Sequence, residues 1–468
     1  MVQYSRFSHS FDLGDSVALY HSLRMKPVYL TRDTYEGLQK WLAGPFCIDF
    51  ESAPTELKET VEQLKKYKIL SDKENEDKRV LEYIRSMVPG PHINVCYMIL
   101  SEQCNLACKY CFLGNNDLEK RSHFNLQNMT KEVADKAVEY FVRQMKNSGL
   151  DCEENRPTVI FYGGEPLINY PMLEYIATRF NDLRDTEKCV KNLDLTIVTN
   201  GLLLTDERIL GLKKLGVGIG ISVDGFTAEE NQMRVDLAGN NVFDKVLAKI
   251  KRCHELGVDI SLSVTLSEET IKHKDHVLKL INEYDIKSFG FNIMMSSSSF
   301  VVSDEYNEAA SQFIIDVFRE LRKLGIYEDR IMRKLNAFAK SKVYLSDCAA
   351  TAGGQIVVSP SGSVGICHGC LYNKEFFMSS VFDEEFDCTK DSIYKEWATL
   401  IPVFHDECLD CPALGICGGG CPINARYLKK GNSIHSIDTR FCVHAKKTLD
   451  FLIHDLFRIM TEDNGDNE

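Results

Sequence analysis

Between residues 93 and 300, six short β-rich runs alternate with helical stretches. That alternation limits the fold more than any other feature of the 468-residue chain. The runs are INVCYMIL, TVIFYGG, LDLTIVTN, GVGIGISVD, DISLSVTL and KSFGFNIMM. Between them lie patterns such as TKEVADKAVEYFVRQMK, in which Val133, Ala137, Val138 and Phe141 share one helix face. Runs that read as apolar on both faces, separated by helices, predict a parallel sheet with crossover connections. Six βα units are two short of a complete eight-unit barrel, so the expected fold is α/β with a partial (β/α)6 barrel. Functional residues are then expected at the carboxyl ends of the strands.

The flanks differ from this centre. Residues 1–92 read as a small α+β domain: DSVALYHSL and PVYLT resemble paired strands, followed by the helical RDTYEGLQKWL. ELKETVEQLKKYKIL places Leu57, Val61, Leu64 and Leu70 near one helix face, and SDKENEDKRVLEYIRSM leads to the linker Pro89–Gly90–Pro91. The barrel is expected over 93–300, a helical connector over 301–347 and a cysteine-rich domain over 348–468. No apolar run of about 18 residues is present, which argues against a membrane span. The first residues lack the basic-then-apolar order of a secretory signal, so a cytoplasmic location is expected. A formal charge of −13 argues against nucleic acid as a general partner. The acidic tail TEDNGDNE is expected to fray.

Seventeen cysteines in a chain without an export signal point to metal or catalysis rather than disulfides. Ten have ligand-like spacing. Cys47, Cys96, Cys152, Cys189, Cys253, Cys370 and Cys388 are scattered and read mostly as small core or surface residues. CNLACKYC follows the first barrel strand and supplies Cys104, Cys108 and Cys111. Three thiolates can hold three irons of a 4Fe–4S cube and leave the fourth open. A zinc knuckle is the alternative, although no histidine or fourth cysteine lies close by in sequence. Further on, Cys348 and Cys367 bracket a glycine, CLDCPALGICGGGC supplies Cys408, Cys411, Cys417 and Cys421, and Cys442 follows. A zinc ribbon would also suit the second of these groups.

With CNLACKYC at the first strand and FYGGEPL ending the second, the sequence resembles the radical S-adenosylmethionine (SAM) superfamily over the whole expected barrel. The resemblance implies that SAM chelates the open iron and that one electron from the cluster cleaves it to a 5′-deoxyadenosyl radical. Gly163, Gly164 and Glu165 match the family motif that contacts the methionyl amine, and glycine lets a backbone approach a ligand closely. Asn200, Ser222 and Asp224, at the ends of the third and fourth strands, are placed to hydrogen-bond the ribose or the methionyl end. Arg234 is placed to pair with the methionyl carboxylate, and Tyr110 matches the aromatic position beside the adenine. The later cysteines resemble the SPASM domain, which carries two auxiliary 4Fe–4S clusters. By position, Cys408, Cys411, Cys417 and Cys442 would ligate the outer cluster, and Cys348, Cys367 and Cys421 the inner one. The inner set is one ligand short: Cys370 completes it locally, or its site is open to a substrate thiolate.

The segment before the barrel resembles the winged-helix-like element that binds leader peptides of ribosomally made natural products, in its pattern of strands followed by helices. It is otherwise a cap on the barrel. The implied function is a peptide maturase that abstracts a hydrogen atom from a precursor peptide and forms a thioether or carbon–carbon cross-link. Its reducing partner would be a flavodoxin or ferredoxin. The competing readings are a sulfatase-activating enzyme of the same superfamily and a non-catalytic iron–sulfur electron carrier. No catalytic acid or base is legible in the sequence.

Overall fold

The computed structural model describes residues 1–44, 49–113, 126–296, 302–428 and 433–462. Cys47 and the tail from residue 463, where fraying is expected, lie outside the described residues.

The N-terminal unit begins with β1 (Gln3–Tyr4), β2 (Ser8–Asp12), β3 (Ser16–His21) and β4 (Val28–Thr31). Strands β2, β3 and β4 form an antiparallel sheet, so the two strands expected here do pair. Helix α1 (Arg32–Leu42) covers the expected segment and is capped by Thr31, whose side chain accepts from Thr34 N. Helix α2 (Lys58–Lys66) buries Val61 and Leu64 but ends before Leu70. Leu70 is instead on β5 (Leu70–Ser71), paired with β1, because Lys68 turns the chain at φ +63°. Helix α3 (Glu76–Ser86) completes the unit. It packs Val80, Leu81 and Ile84 with Phe7 and Leu23 against Ile401, Val403, Leu409 and Leu414 of the cysteine-rich region.

The central strands are β6 (Val95–Ser101), β7 (Thr158–Gly163), β8 (Asp194–Thr199), β9 (Val217–Val223), β10 (Ile260–Leu266) and β11 (Ser288–Ile293). All six expected runs are strands, parallel and side by side in chain order. The helices of these units are α4 (Lys131–Asn147), α5 (Tyr170–Leu183), α6 (Asp206–Leu215), α7 (Phe243–Glu255) and α8 (Lys274–Tyr284).

The strands are not apolar on both faces, as the sequence reading had it. One face is fully buried and carries Phe161, Ile197, Ile221, Val264 and Phe291. The other is half-buried and carries Tyr162, Thr196, Gly220, Ser222, Ser263, Gly290 and Asn292. Small and polar residues on the second face leave room beside the sheet, and a Cβ added at Gly290 would meet nothing within 4 Å.

The sheet continues past both expected domain boundaries. Beyond α9 (Asp304–Lys323), β12 (Tyr327–Glu328) adds in parallel to β11, and α10 (Asp329–Lys340) follows. At the other edge β13 (Gln355–Val358) pairs in parallel with β6. It is extended antiparallel by β14 (Ser363–Gly365) and β15 (Phe377–Ser380). Ten strands form one open sheet with β12 and β15 at its edges. Among the described residues, the remaining α-helices are α11 (Ser392–Trp397), α12 (Leu414–Cys417), α13 (Pro422–Leu428) and α14 (Thr439–Glu462). No helix of the described residues is long and apolar enough to cross a membrane.

Candidate active site and cysteine groups

The carboxyl ends of β6 to β9 lie on one edge of the sheet, and the expected site residues gather there. The cysteine loop leaves β6 after Ser101 and is held along its length. Ala107 N donates to Val235 O and Lys109 N to Met233 O, both at 2.9 Å, and Leu106 bridges to Asp236. Tyr110 Oη donates to Asp224 Oδ1, Arg234 Nη2 donates to Tyr110 Oη at 2.6 Å, and Arg234 Nε donates to Asp224 Oδ1 at 3.1 Å. These three side chains tie the cysteine loop to the end of β9. The segment Met233–Asp236 that clamps the loop carries no motif, and sequence reasoning missed it apart from Arg234. The guanidinium expected to meet a cofactor carboxylate is thus already paired with Asp224.

Glu165 is buried and accepts from Leu167 N (2.9 Å), Thr199 Oγ1 (2.7 Å) and Asn200 N (2.9 Å). It therefore locks the end of β7 to the end of β8. Burial raises its pKa, and those hydrogen bonds oppose the rise. Asn200 Nδ2 donates to Asn105 Oδ1 of the cysteine loop at 2.8 Å. Gly163 and Gly164 do permit a close approach, but to the chain itself. A Cβ at Gly163, where φ is +149°, would lie 2.2 Å from Ser101 O, and one at Gly164 would lie 2.4 Å from Gln103 O. Their neighbours are the residues just before Cys104, so the glycines set where that cysteine stands. Ser222 lies on the half-buried face of β9, in register with Ser263.

Cys104, Cys108 and Cys111 lie near enough for each thiol to act on the others electrostatically. Burial first, then Glu165 and the other two thiols, pushes Cys104 up to about 12, and burial pushes Cys108 up to about 11. Thiols so disfavoured as anions become thiolates when a metal supplies the positive charge. Among the later cysteines, Cys348, Cys367 and Cys421 are mutual neighbours, and Cys370 hydrogen-bonds Cys367. Cys370 therefore is not scattered. A third group contains Cys408, Cys411, Cys417 and Cys442, where burial pushes Cys408 and Cys417 up to about 12. Cys96, Cys189, Cys253 and Cys388 are buried in the core, and Cys152 is half-buried.

Among the described residues, the group of three or more ligands whose donor atoms all lie within 4.8 Å of one another is Asp151, Glu187 and Cys189. The three cysteine groups are wider than that. Ligands of one tetrahedral zinc ion stand about 3.8 Å apart for a Zn–S bond of about 2.3 Å. Sets of three and four cysteine sulfurs are the donor sets of 4Fe–4S clusters. Asp224 Oδ2 is buried with no hydrogen-bond partner, next to the half-buried face of the sheet. An incoming hydroxyl or ammonium donor would satisfy it.

Residues 98–281 match the Radical SAM superfamily. The chain is 25% identical over 385 residues to the radical SAM cyclopropyl synthase TigE of Paramaledivibacter caminithermalis, covering 78% of this chain and 75% of that one. It is 24% identical to the antilisterial bacteriocin subtilosin biosynthesis protein AlbA of Bacillus subtilis, over 74% of this chain and 70% of that one. It is 22% identical to a serine-type anaerobic sulfatase-maturating enzyme of Klebsiella aerogenes, over 72% and 81%. Among solved structures, anSMEcpe with bound AdoMet superposes with a TM-score of 0.62 at 20% identity, covering 79% of this chain and 99% of that one. Streptococcus suis SuiB bound to the precursor peptide SuiA superposes with a TM-score of 0.52 at 15% identity, covering 94% and 100%. Residues 98–281 thus form a domain of the radical SAM superfamily, a family of enzymes whose cofactors are SAM and a 4Fe–4S cluster. The half-buried three-thiol group, the unsatisfied Asp224 Oδ2 and the open face of small residues fit those two cofactors.

Proposed function

We propose that this enzyme is a peptide maturase that removes a hydrogen atom from a residue of a ribosomally made precursor peptide. The observation that carries the proposal is coverage. The likeness to SuiB, solved with its precursor peptide, spans 94% of this chain, whereas the likeness to anSMEcpe spans 79%. Similarity to TigE and AlbA adds support. When bound, the cluster and SAM supply a radical able to abstract hydrogen from an unactivated carbon. Cys104, Cys108 and Cys111 would ligate three irons and leave the fourth for SAM. Gly163, Gly164, Glu165, Asn200, Ser222 and Asp224 would border the bound SAM, with Tyr110 beside its adenine. Arg234 would act through the loop it holds.

In the same reading, residues 348–468 form a SPASM-type domain. Cys408, Cys411, Cys417 and Cys442 hold an outer 4Fe–4S cluster, and Cys348, Cys367, Cys421 and Cys370 hold an inner one. With Cys370 as its fourth ligand the inner cluster is closed, which favours electron transfer over capture of a substrate thiolate. Residues 1–92 act as the leader-recognition unit, residues 93–300 as the partial barrel and 301–347 as the connector. A flavodoxin or ferredoxin supplies electrons, and the product is a thioether or carbon–carbon cross-link. Sulfatase activation is the second reading, favoured by the similarity to the Klebsiella aerogenes enzyme.

The test uses the reconstituted full-length protein with SAM, a reductant and peptides encoded beside its gene. The expected product has lost two hydrogen atoms, with one 5′-deoxyadenosine formed per peptide, and the same peptide without its leader is processed far more slowly. Conversion of a sulfatase-derived Cys or Ser peptide to formylglycine, with the precursor untouched, would establish the second reading.

A further inference from the structure

Between the inner and outer cysteine groups lies a buried set of charges that the reactions above do not use. Lys334 of α10 is fully buried. Its Nζ donates to Cys417 O at 3.1 Å and pairs with Asp347 Oδ1 at 3.6 Å. Asp347 immediately precedes Cys348, and its N–H donates to Gly418 O at 2.7 Å. One hydrogen bond therefore joins the backbone beside an inner-group cysteine to the residue after an outer-group cysteine.

The charges here do not balance. Arg330 donates to Asp347 Oδ2 at 3.0 Å, to Asn292 Oδ1 at 2.7 Å and to Phe291 O at 2.8 Å. Arg333 has its own acid in Asp329 at 2.6 Å, and Arg440 of α14 has Asp438 at 2.9 Å. Asp347 is the shared partner of Arg330 and Lys334, with Arg333 Nη1 a more distant 3.8 Å from its Oδ1. Glu328, buried at the start of α10, is spent on the N–H groups of Arg330 and Ile331, and burial raises it to about 7. Glu328 apart, the four cations Arg330, Arg333, Lys334 and Arg440 face the three carboxylates Asp329, Asp347 and Asp438, and Lys334 is the fully buried one, where an unpaired charge is costly. The facing groups are Tyr344, whose ring lies 5.5 Å from Lys334 Nζ, Phe441 at 5.8 Å, and His444. None of these supplies a negative charge to Lys334, whereas metal-bound thiolates of the outer group would.

We infer that Lys334 raises the reduction potential of the cluster held by Cys408, Cys411, Cys417 and Cys442, making it the electron acceptor next to the inner group. The inference rests on the two-cluster reading above. An electron that reaches the outer site adds one negative charge there, and a buried ammonium on the Cys417 carbonyl stabilises that charge. Lys334 is therefore a positioning residue for electron flow. The electron comes from the inner site and leaves to a one-electron protein carrier.

The experiment is a redox titration followed by electron paramagnetic resonance on the full-length chain. A Cys104→Ala, Cys108→Ala, Cys111→Ala background leaves only the auxiliary signals. Lys334→Met should shift one auxiliary midpoint to more negative potential at unchanged iron content, and Lys334→Arg should return it towards wild type. Asp347→Asn, which strips the lysine of its counter-charge, should shift the same midpoint to more positive potential. Unchanged midpoints in both Lys334→Met and Asp347→Asn overturn the inference. If Lys334→Met loses the outer cluster, the sign of the Asp347→Asn shift decides. Absence of auxiliary iron in the parent chain refutes the two-cluster reading itself, and the inference with it.

Discussion

His21 shows how one buried side chain links local geometry to a measurable pH dependence. It is fully buried, and its Nδ1 accepts from Leu23 N at 3.2 Å, so the proton of the neutral ring is on Nε2, 3.4 Å from Ser5 Oγ. A second proton would face the Leu23 N–H. Burial, with Arg24 adding to it, lowers the pKa to about 4. The unfolded chain binds that proton near pH 6.5, so the unfolded state holds more protons between those values and stability falls as the pH drops through them. The full effect is about 3 kcal/mol, of which about 2 kcal/mol is lost between pH 7 and pH 5. Urea unfolding of His21→Gln at the two pH values should lose correspondingly less stability than wild type; parallel losses would contradict the assignment. Other residue-scale features were legible to different degrees. The types of Gly163, Gly164 and Glu165 could be read from a motif, but their hold on Ser101, Gln103 and Asn200 depends on a close approach that no spacing reveals.

At the scale of elements, the six central strands and α1 were legible because strand and helix periods are local properties. The alternation of small and polar residues on one face was not recognised, since glycine and serine interrupt the apolar pattern without declaring which side they occupy. Strands β12 and β13 are short, and they join the sheet through contacts distant in sequence. The N-terminal unit meets the cysteine-rich region through α3 and α12, where Gly415 leaves no room for a side chain. A Cβ there would lie 2.1 Å from Ser22 O and 2.9 Å from Met25 Sδ. Gly415→Ala should therefore cost about 1–3 kcal/mol by overpacking and push the two units apart. Limited proteolysis should then cleave faster at the Met87–Pro91 linker. Unchanged cleavage and stability would show that the interface yields without cost.

For the whole molecule, three groups of cysteines that are far apart in sequence are built around a single open sheet: the first follows the carboxyl end of β6, whereas Cys348 and Cys367 stand just before β13 and just after β14. The N-terminal unit is docked on the outermost of them. The partition of the later cysteines into two groups was legible only by resemblance, and Cys370, one of two readings offered by the sequence for the inner set, stands in hydrogen-bond contact with Cys367. The charge of −13 said nothing of the buried Lys334, because composition averages over position. The central claim is that Cys104, Cys108 and Cys111 hold the cluster that cleaves SAM. It is tested by measuring bound iron and 5′-deoxyadenosine in parallel, on oxygen-free reconstituted wild type and on the triple Cys→Ala variant with a reductant present. The wild type should carry about twelve irons as three clusters and release 5′-deoxyadenosine, and the variant should lose about four irons and all cleavage. Cleavage that survives in the variant, or zinc in place of iron in the wild type, would contradict it.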